Sequence, residues 1–203
     1  GDTYTAAIGQ GFVLATPLQV LNSISTIANG GKLMDITLVD RILSPEGSIL
    51  QELTPSYRWD ITKDPVINVY DGNVETGEAK TVEPWVLELA NQAMRLVVTD
   101  GTASRYEIER HADLFRNDSS NSAGKTGTAE YCDNVAQEQG KCQFGAWPSH
   151  AWYVGYAPWD DAEIAVVAFV YNGTEGATLS APVVRRVIDA YFELKAIDSG
   201  QTP

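Results

Sequence analysis

The sequence predicts an α/β protein of the α+β type, with an antiparallel sheet carrying helices on both faces. Three observations carry this expectation. Ile164 to Tyr171 is an unbroken run of eight apolar residues. That is far short of the roughly 20 a membrane-spanning helix needs, and it suits a strand buried on both sides. Apolar stripes at helical spacing follow Pro17, Pro84 and Pro182. From Ser122 onward that spacing gives way to aromatic and β-branched residues, as strands favour.

Each element has a local reason. Thr16 is a good helix N-cap, and Pro17 at the first helical position loses no hydrogen bond. Leu18, Leu21, Ile24 and Ala28 then recur at helical spacing, with Val20 and Ile27 beside them, until Asn29-Gly30-Gly31 stops the helix. Residues 33–50 read as two short strands around Ser44-Pro45-Glu46-Gly47, where Pro presets φ and Gly permits the turn. Residues 53–82 are polar and rich in Pro, Gly, Asp and Thr, and are expected to be an insertion in a single domain spanning 1–203. A second helix opens at Glu83-Pro84, carries Val86, Leu89, Ala90, Ala93 and Val97 on one face, and ends near Asp100-Gly101. Residues 105–120 read as loop or short helix. Strands follow from Ser122, over Ala151 to Tyr156 and over Glu163 to Tyr171. A last helix after Ser180-Ala181-Pro182 carries Val183, Val184, Val187, Ile188 and Tyr191 on one stripe.

Composition narrows the function. The 203 residues are 44% hydrophobic and 20% charged, ordinary values for a globular chain. The formal charge is −13, so phosphate backbones are repelled and no nucleic-acid partner is expected. The chain opens at Gly1-Asp2, with no signal-type segment at its start.

The most informative segment is Gly124-Lys125-Thr126-Gly127-Thr128-Ala129. An ammonium, hydroxyl donors and a Gly with no Cβ make a compact kit for recognising an anion. Alone, such a segment equally suits a solvated turn. It stands, however, in a particular order of patches. Ile8-Gly9-Gln10-Gly11, Ala15-Thr16-Pro17-Leu18-Gln19 and Ala28-Asn29-Gly30-Gly31 precede it. His150 to Pro158, Ile164 to Val170 and Ala181 to Ile188 follow. In this order they resemble the C-terminal part of a penicillin-binding protein transpeptidase domain, of the class B, elongation type. Residues 53–82 and 131–149 match least.

The resemblance implies a β-lactamase/transpeptidase-like fold, incomplete in this chain. It implies acyl transfer by a Ser-x-x-Lys nucleophile, with Ser-x-Asn and Lys-Thr-Gly partners lining one cleft. Lys125 would supply positive potential, and Thr126 and Thr128 would bind the terminal carboxylate of a peptidoglycan stem peptide or a β-lactam. The Thr128 N–H would be one of two oxyanion donors, and Gly127 would let substrate lie along the strand. No metal or organic cofactor is implied. The implied partners are the remainder of the same domain and the cell-elongation machinery. The implied location is the periplasmic or extracellular face of the cytoplasmic membrane, held by an N-terminal anchor outside this chain. A D,D-carboxypeptidase or β-lactamase-like hydrolase, or a non-catalytic scaffold of the same fold, are the rival readings.

The nucleophile is the gap. In this family it lies upstream of the Ile8 patch. Ser122-Ala-Gly-Lys125 fits the text of Ser-x-x-Lys, and Ser119-Ser120-Asn121 that of Ser-x-Asn. Positions i and i+3 share a face on a helix but point to opposite faces of a strand, and Ser122 enters the sheet. The second motif adjoins the same strand, whereas it should stand across the cleft from it. Both are rejected, and the isolated chain is expected to be inactive, because it holds the clamping wall without the reacting serine.

Weaker signals complete the reading. Cys132 and Cys142, the only cysteines, suit a disulfide in an oxidising compartment, with two free thiols as the alternative. With His150 they match no standard metal pattern. His150 is expected to make a hydrogen bond on a strand, His111 to lie on a charged surface stretch, and Asp160-Asp161 to form a turn. Trp147, Trp152 and Trp159 are expected to pack in the core or at its rim.

Overall fold

Strand periodicity and apolar content place β7 (Ala123–Glu130), β8 (Ser149–Ala157) and β9 (Ile164–Val170) in one antiparallel sheet of order β7-β8-β9. The structure is a computed structural model and describes residues 2–104 and 118–200. Before this sheet come α1 (Asp2–Ala7), α2 (Pro17–Ala28), β1 (Lys32–Met34), β2 (Arg41–Leu43), β3 (Ile49–Glu52), β4 (Tyr57–Asp60), β5 (Ile67–Asp71), β6 (Val74–Lys80) and α3 (Pro84–Thr99). Between β7 and β8 lies α4 (Asn134–Glu138). After β9 a π-helical turn (Gly176–Ser180) leads into α5 (Ala181–Asp198).

Helices cover both faces of the sheet, as predicted. On one face Tyr153, Ala157 and Ala168 pack against Ala181, Val184 and Ile188 of α5, joined by Ala103. On the other, Ala123 and Tyr156 meet Met94 of α3, with Ile24, Ile27 and Ala28 of α2 packed alongside. Trp159 belongs to this second cluster and Trp152 contacts the Phe169 ring, centroids 4.6 Å apart. Trp147 is more exposed, at the rim.

The helix ends follow their local chemistry. The Thr16 hydroxyl accepts from the Gln19 N–H and the Gln19 side chain accepts from the Thr16 N–H at 2.8 Å, a reciprocal capping box. Past the end of α2, Gly31 has φ +114° and a Cβ there would lie 2.9 Å from Thr62. Both torsion and space therefore require glycine.

Residues 53–82 divide into two parts. β4 pairs with β1, and Asp60 at its end is buried. The Asp60 carboxylate accepts from Lys63 and Thr62, which hold its pKa down to about 2. The second part is the β5–β6 hairpin, whose strand Val74–Lys80 is exposed throughout. The hairpin β2–β3 turns at Ser44-Pro45-Glu46-Gly47, where predicted. His111 and most of the predicted 105–120 loop lie outside the described residues.

Cys132 and Cys142 are joined by a disulfide, Cα atoms 5.6 Å apart, that closes the loop bearing α4. Replacing both with serine is expected to lower stability by about 3 kcal/mol, from chain entropy regained by the unfolded state. A urea midpoint left unchanged would show that the loop is held without it, for example by the Tyr171 hydroxyl donating to Asp133 at 2.8 Å.

Candidate active site at the free edge of β7

Among the described residues β7 pairs with a strand, β8, on one side only, so its other edge carries backbone groups with no strand partner. Which residues face that edge follows from strand alternation. The Ser122 carbonyl accepts from Arg95, the Thr126 carbonyl from Lys125, and the Thr128 carbonyl from Gln10. The Tyr131 N–H instead reaches Pro148, on the β8 side. Even-numbered residues therefore present N–H and C=O outward, and the Thr128 N–H is among them.

The predicted site residues meet at this edge. The Lys125 ammonium folds over it and donates to the Thr126 carbonyl at 2.7 Å. The Thr126 hydroxyl lies 2.7 Å from that of Thr102, in the segment after α3. Two hydroxyls sharing one hydrogen bond keep one O–H donor between them, so the pair can still serve an anion. Gly127 has only the Trp152 Cβ within 3.1 Å of where a Cβ would sit. Side chains alternate along the strand, so Lys125 roots on one face while Thr126 and Thr128 root on the other.

Behind Gly127 the strand is braced. A Cβ on Gly176, in the π-helical turn, would lie 1.9 Å from the Trp152 carbonyl oxygen and 2.6 Å from that of Gly127. Only glycine lets the turn lie so close to the β7–β8 ladder. Gly124 is also obligatory, since a Cβ there would meet the Tyr153 hydroxyl at 2.3 Å.

Below the site, Asp118 organises the start of the strand. Its carboxylate accepts from the Ser122 N–H at 2.8 Å and the Ser120 hydroxyl at 3.0 Å. Arg95 of α3 and Arg185 of α5 both ion-pair with it. Burial pushes this carboxyl up, but the two guanidinium groups and the serine donors outweigh it and hold it below the usual carboxylate range. Ser122 and Ser120 are both buried, their hydroxyls committed to Asp118, while Lys125 is exposed. Neither serine reaches the Lys125 edge as a nucleophile.

Sequence reading missed Thr102, Gln10 and Asp118 as site neighbours. Thr102 offers no local signal. Asp118 with serines two and four positions on is an Asx-type turn pattern, the local signal that could have found it. His150 sits in β8, its Nδ1 accepting from the Asn172 N–H at 3.2 Å and its ring stacked on Tyr131. Burial pushes its pKa down, with Asp133 opposing. Asp160 and Asp161 are exposed in the bend between β8 and β9. Among the described residues no group of three or more His, Cys, Asp or Glu is placed to hold a metal ion.

Comparison with known proteins places this edge in context. The family model for the penicillin binding protein transpeptidase domain matches residues 2–189. The peptidoglycan D,D-transpeptidase MrdA of Haemophilus influenzae is 29% identical over 196 residues, covering 95% of this chain and 26% of that protein. The peptidoglycan D,D-transpeptidase PbpA of Mycobacterium tuberculosis is 28% identical, covering 92% and 31%. Among solved structures, penicillin-binding protein A from M. tuberculosis as its imipenem acyl-enzyme complex superposes with TM-score 0.62 at 28% identity, covering 93% of this chain and 33% of that one. Penicillin-binding protein 2B from Streptococcus pneumoniae shares the fold, with TM-score 0.61 at 22% identity over 96% of this chain and 27% of that one. The chain thus spans between about a quarter and a third of these relatives' lengths.

Proposed function

The chain belongs to the penicillin-binding protein transpeptidase family, and we propose that it forms the substrate-clamping wall of a peptidoglycan D,D-transpeptidase. The observation that carries this is the β7 edge. An ammonium, a shared hydroxyl donor and an outward backbone N–H converge there beside a glycine.

Each group has a role in acyl transfer. Lys125 supplies positive charge in a chain of net charge −13, so attraction of an anionic stem peptide rests on it locally. The hydroxyls of Thr126 and Thr128 hold the peptide's terminal carboxylate, or that of a β-lactam. Gly127 lets the acyl donor lie along the edge as an added strand. The Thr128 N–H then faces the carbonyl under attack and stabilises the oxyanion, a contribution of about 3 kcal/mol for one such donor. The serine, from a segment outside these 203 residues, adds to the carbonyl and expels the leaving amine. An amine of a second stem peptide then takes the acyl group. The curated relatives reported above are D,D-transpeptidases, which favours transfer to an amine over hydrolysis.

The rest of the domain is the first partner. Ile8, Phe12, Val13 and Leu14 are exposed, and the outer edge of the apolar strand β9 pairs with no strand among the described residues. Both are surfaces another segment of the same domain would cover. The site works on the periplasmic or outer face of the cytoplasmic membrane, where the disulfide persists. No helix of the described residues is long and apolar enough to cross a membrane. The elongation-type resemblance points to cell-shape machinery as the wider partner.

The test is acylation of the complete protein by a fluorescent penicillin. Lys125→Ala is expected to lower the acylation rate constant at least ~100-fold, as loss of a positioned electrostatic group does, with the unfolding midpoint unchanged. Wild-type labelling in the variant would remove Lys125 from the site.

A further inference from the structure

The bend between β9 and the π-helical turn is strained. Asn172 and Thr174 have φ of +52° and +63°. A β-branched residue such as Thr adopts that conformation only where its surroundings force it. Two successive residues of β8 supply the force. Ser149 accepts the Thr174 N–H on its carbonyl at 3.0 Å and donates its hydroxyl to the Thr174 carbonyl at 3.1 Å. His150 accepts the Asn172 N–H on its Nδ1 at 3.2 Å. Of these two holds, only the imidazole can change with pH.

The bend leads directly into Gly176, which lies against the Trp152 and Gly127 carbonyl oxygens behind the clamp. Where the bend is held therefore decides where that brace sits.

A ring nitrogen accepts an N–H only while it is unprotonated, so the bond requires the neutral tautomer with its proton on Nε2. Protonation would set an N–H of the ring against the N–H of Asn172, donor to donor. The His150 ring stacks on Tyr131, centroids 3.7 Å apart, with the Tyr171 and Phe169 rings at 4.9 and 5.0 Å. The titratable groups facing it are Tyr131 past the end of β7, Tyr171 of the bend and Asp133 at the cap of α4. Glu130 roots on the opposite face, because Ala129 is the β7 residue paired with His150. The Ala136 N–H and the Tyr171 hydroxyl hold the Asp133 carboxyl below its ordinary range, so it stays ionised while His150 titrates. Burial still pushes the imidazole pKa down against that charge.

We propose, resting on the acyl-transfer reading above, that His150 is a positioning residue and a pH-sensitive latch: its neutral ring holds the strained 171–175 bend, and through it the Gly176 brace, and its protonation releases both. The sign is fixed by the direction of the shift. A histidine whose native value lies below its unfolded value of about 6.5 stabilises fully above that value and loses its contribution as pH falls through the native one. Acylation therefore slows as the surroundings turn acid.

The test uses the complete protein with His150→Asn, which keeps an acceptor that does not titrate, and His150→Phe, which keeps the ring and loses the acceptor. Backbone hydrogen exchange, corrected for its intrinsic pH dependence, reads the latch. At about pH 8 the Asn172 amide should lose protection roughly tenfold in His150→Phe and keep it in His150→Asn. Between about pH 8 and pH 5 its protection should fall roughly tenfold in wild type and hold steady in His150→Asn. Stopped-flow acylation by a fluorescent penicillin reads the positioning. Over the same range the acylation step of wild type should fall about tenfold relative to His150→Asn, with the ratio of their binding constants unchanged. Unchanged Asn172 protection in His150→Phe overturns the latch, and parallel pH profiles of protection in wild type and His150→Asn overturn its titration. Divergent protection with parallel acylation profiles overturns the positioning role. If wild type fails to react with penicillin at any pH, the acyl-transfer reading falls and the positioning role with it. The exchange results then separately decide whether His150 latches the bend.

Discussion

Asp118→Ala is expected to destabilise the fold by about 3–5 kcal/mol, the usual cost of removing one partner from a buried ion pair. The cost comes less from the lost attraction than from what remains. Arg185 is 3% exposed, and although Asp189 still accepts from its Nε, its Nη1 loses the Asp118 carboxylate. The Ser122 N–H and the Ser120 hydroxyl lose their acceptor in the same step. Because these groups join α3, α5 and the start of β7, urea unfolding should show the full loss as one transition. A loss below about 1 kcal/mol, the range of an exposed pair, would contradict the assignment.

The pH dependence has a definite sign. The native carboxyl of Asp118 is held below its ordinary value. Its contribution is therefore complete above the unfolded value of about 3.9 and is lost as pH falls through the lower native value. Wild-type stability should drop on acidification below about pH 4, and the gap between wild type and Asp118→Ala should narrow there. A gap that widened in acid would reverse the argument.

Gly176→Ala is the second large effect. The new methyl would lie 1.9 Å from the Trp152 carbonyl oxygen and 2.6 Å from the Gly127 carbonyl oxygen. These are backbone atoms of a paired ladder, so no side chain can swing aside. Overpacking typically costs about 1–3 kcal/mol, and a backbone obstacle places this variant at the upper end. Function should suffer more than stability, because relief requires moving the Gly127 segment from behind the clamp. Penicillin acylation of the complete protein should fall on the order of 100-fold, as a misplacement near 1 Å can produce. Gly127→Ala is the matched comparison. Its methyl meets only the Trp152 Cβ at 3.1 Å, so it should retain more stability than Gly176→Ala while still hindering substrate approach. Near-wild-type stability and acylation in Gly176→Ala would contradict the bracing role.

The parts of the fold legible in the sequence are those whose signal is local. α2 announces itself through Thr16-Pro17 and its apolar spacing, and β9 through eight uninterrupted apolar residues. The β5–β6 hairpin was not legible because Val74–Lys80 is exposed along its whole length and so carries no alternation of apolar and polar residues. The Lys125–Thr128 segment was legible through its resemblance and its residue types. Its supports were not. Thr102 meets Thr126 across 24 positions, Arg185 meets Asp118 across 67, and Gln10 meets Thr128 across 118. Such contacts follow from topology and packing, which spacing in one sequence does not encode. Ser122 shows the opposite case. The strand argument against it required only alternation, and the structure adds that its hydroxyl is buried against Asp118.

The central claim is that these residues clamp an acyl donor for a serine supplied from elsewhere in the same domain. Peptide mapping by mass spectrometry of the complete protein after reaction with a penicillin tests it most directly. A single acyl adduct on a serine outside residues 1–203, lost in step with Lys125→Ala, is the predicted result. An adduct on Ser119, Ser120 or Ser122, or no adduct at all, would contradict it.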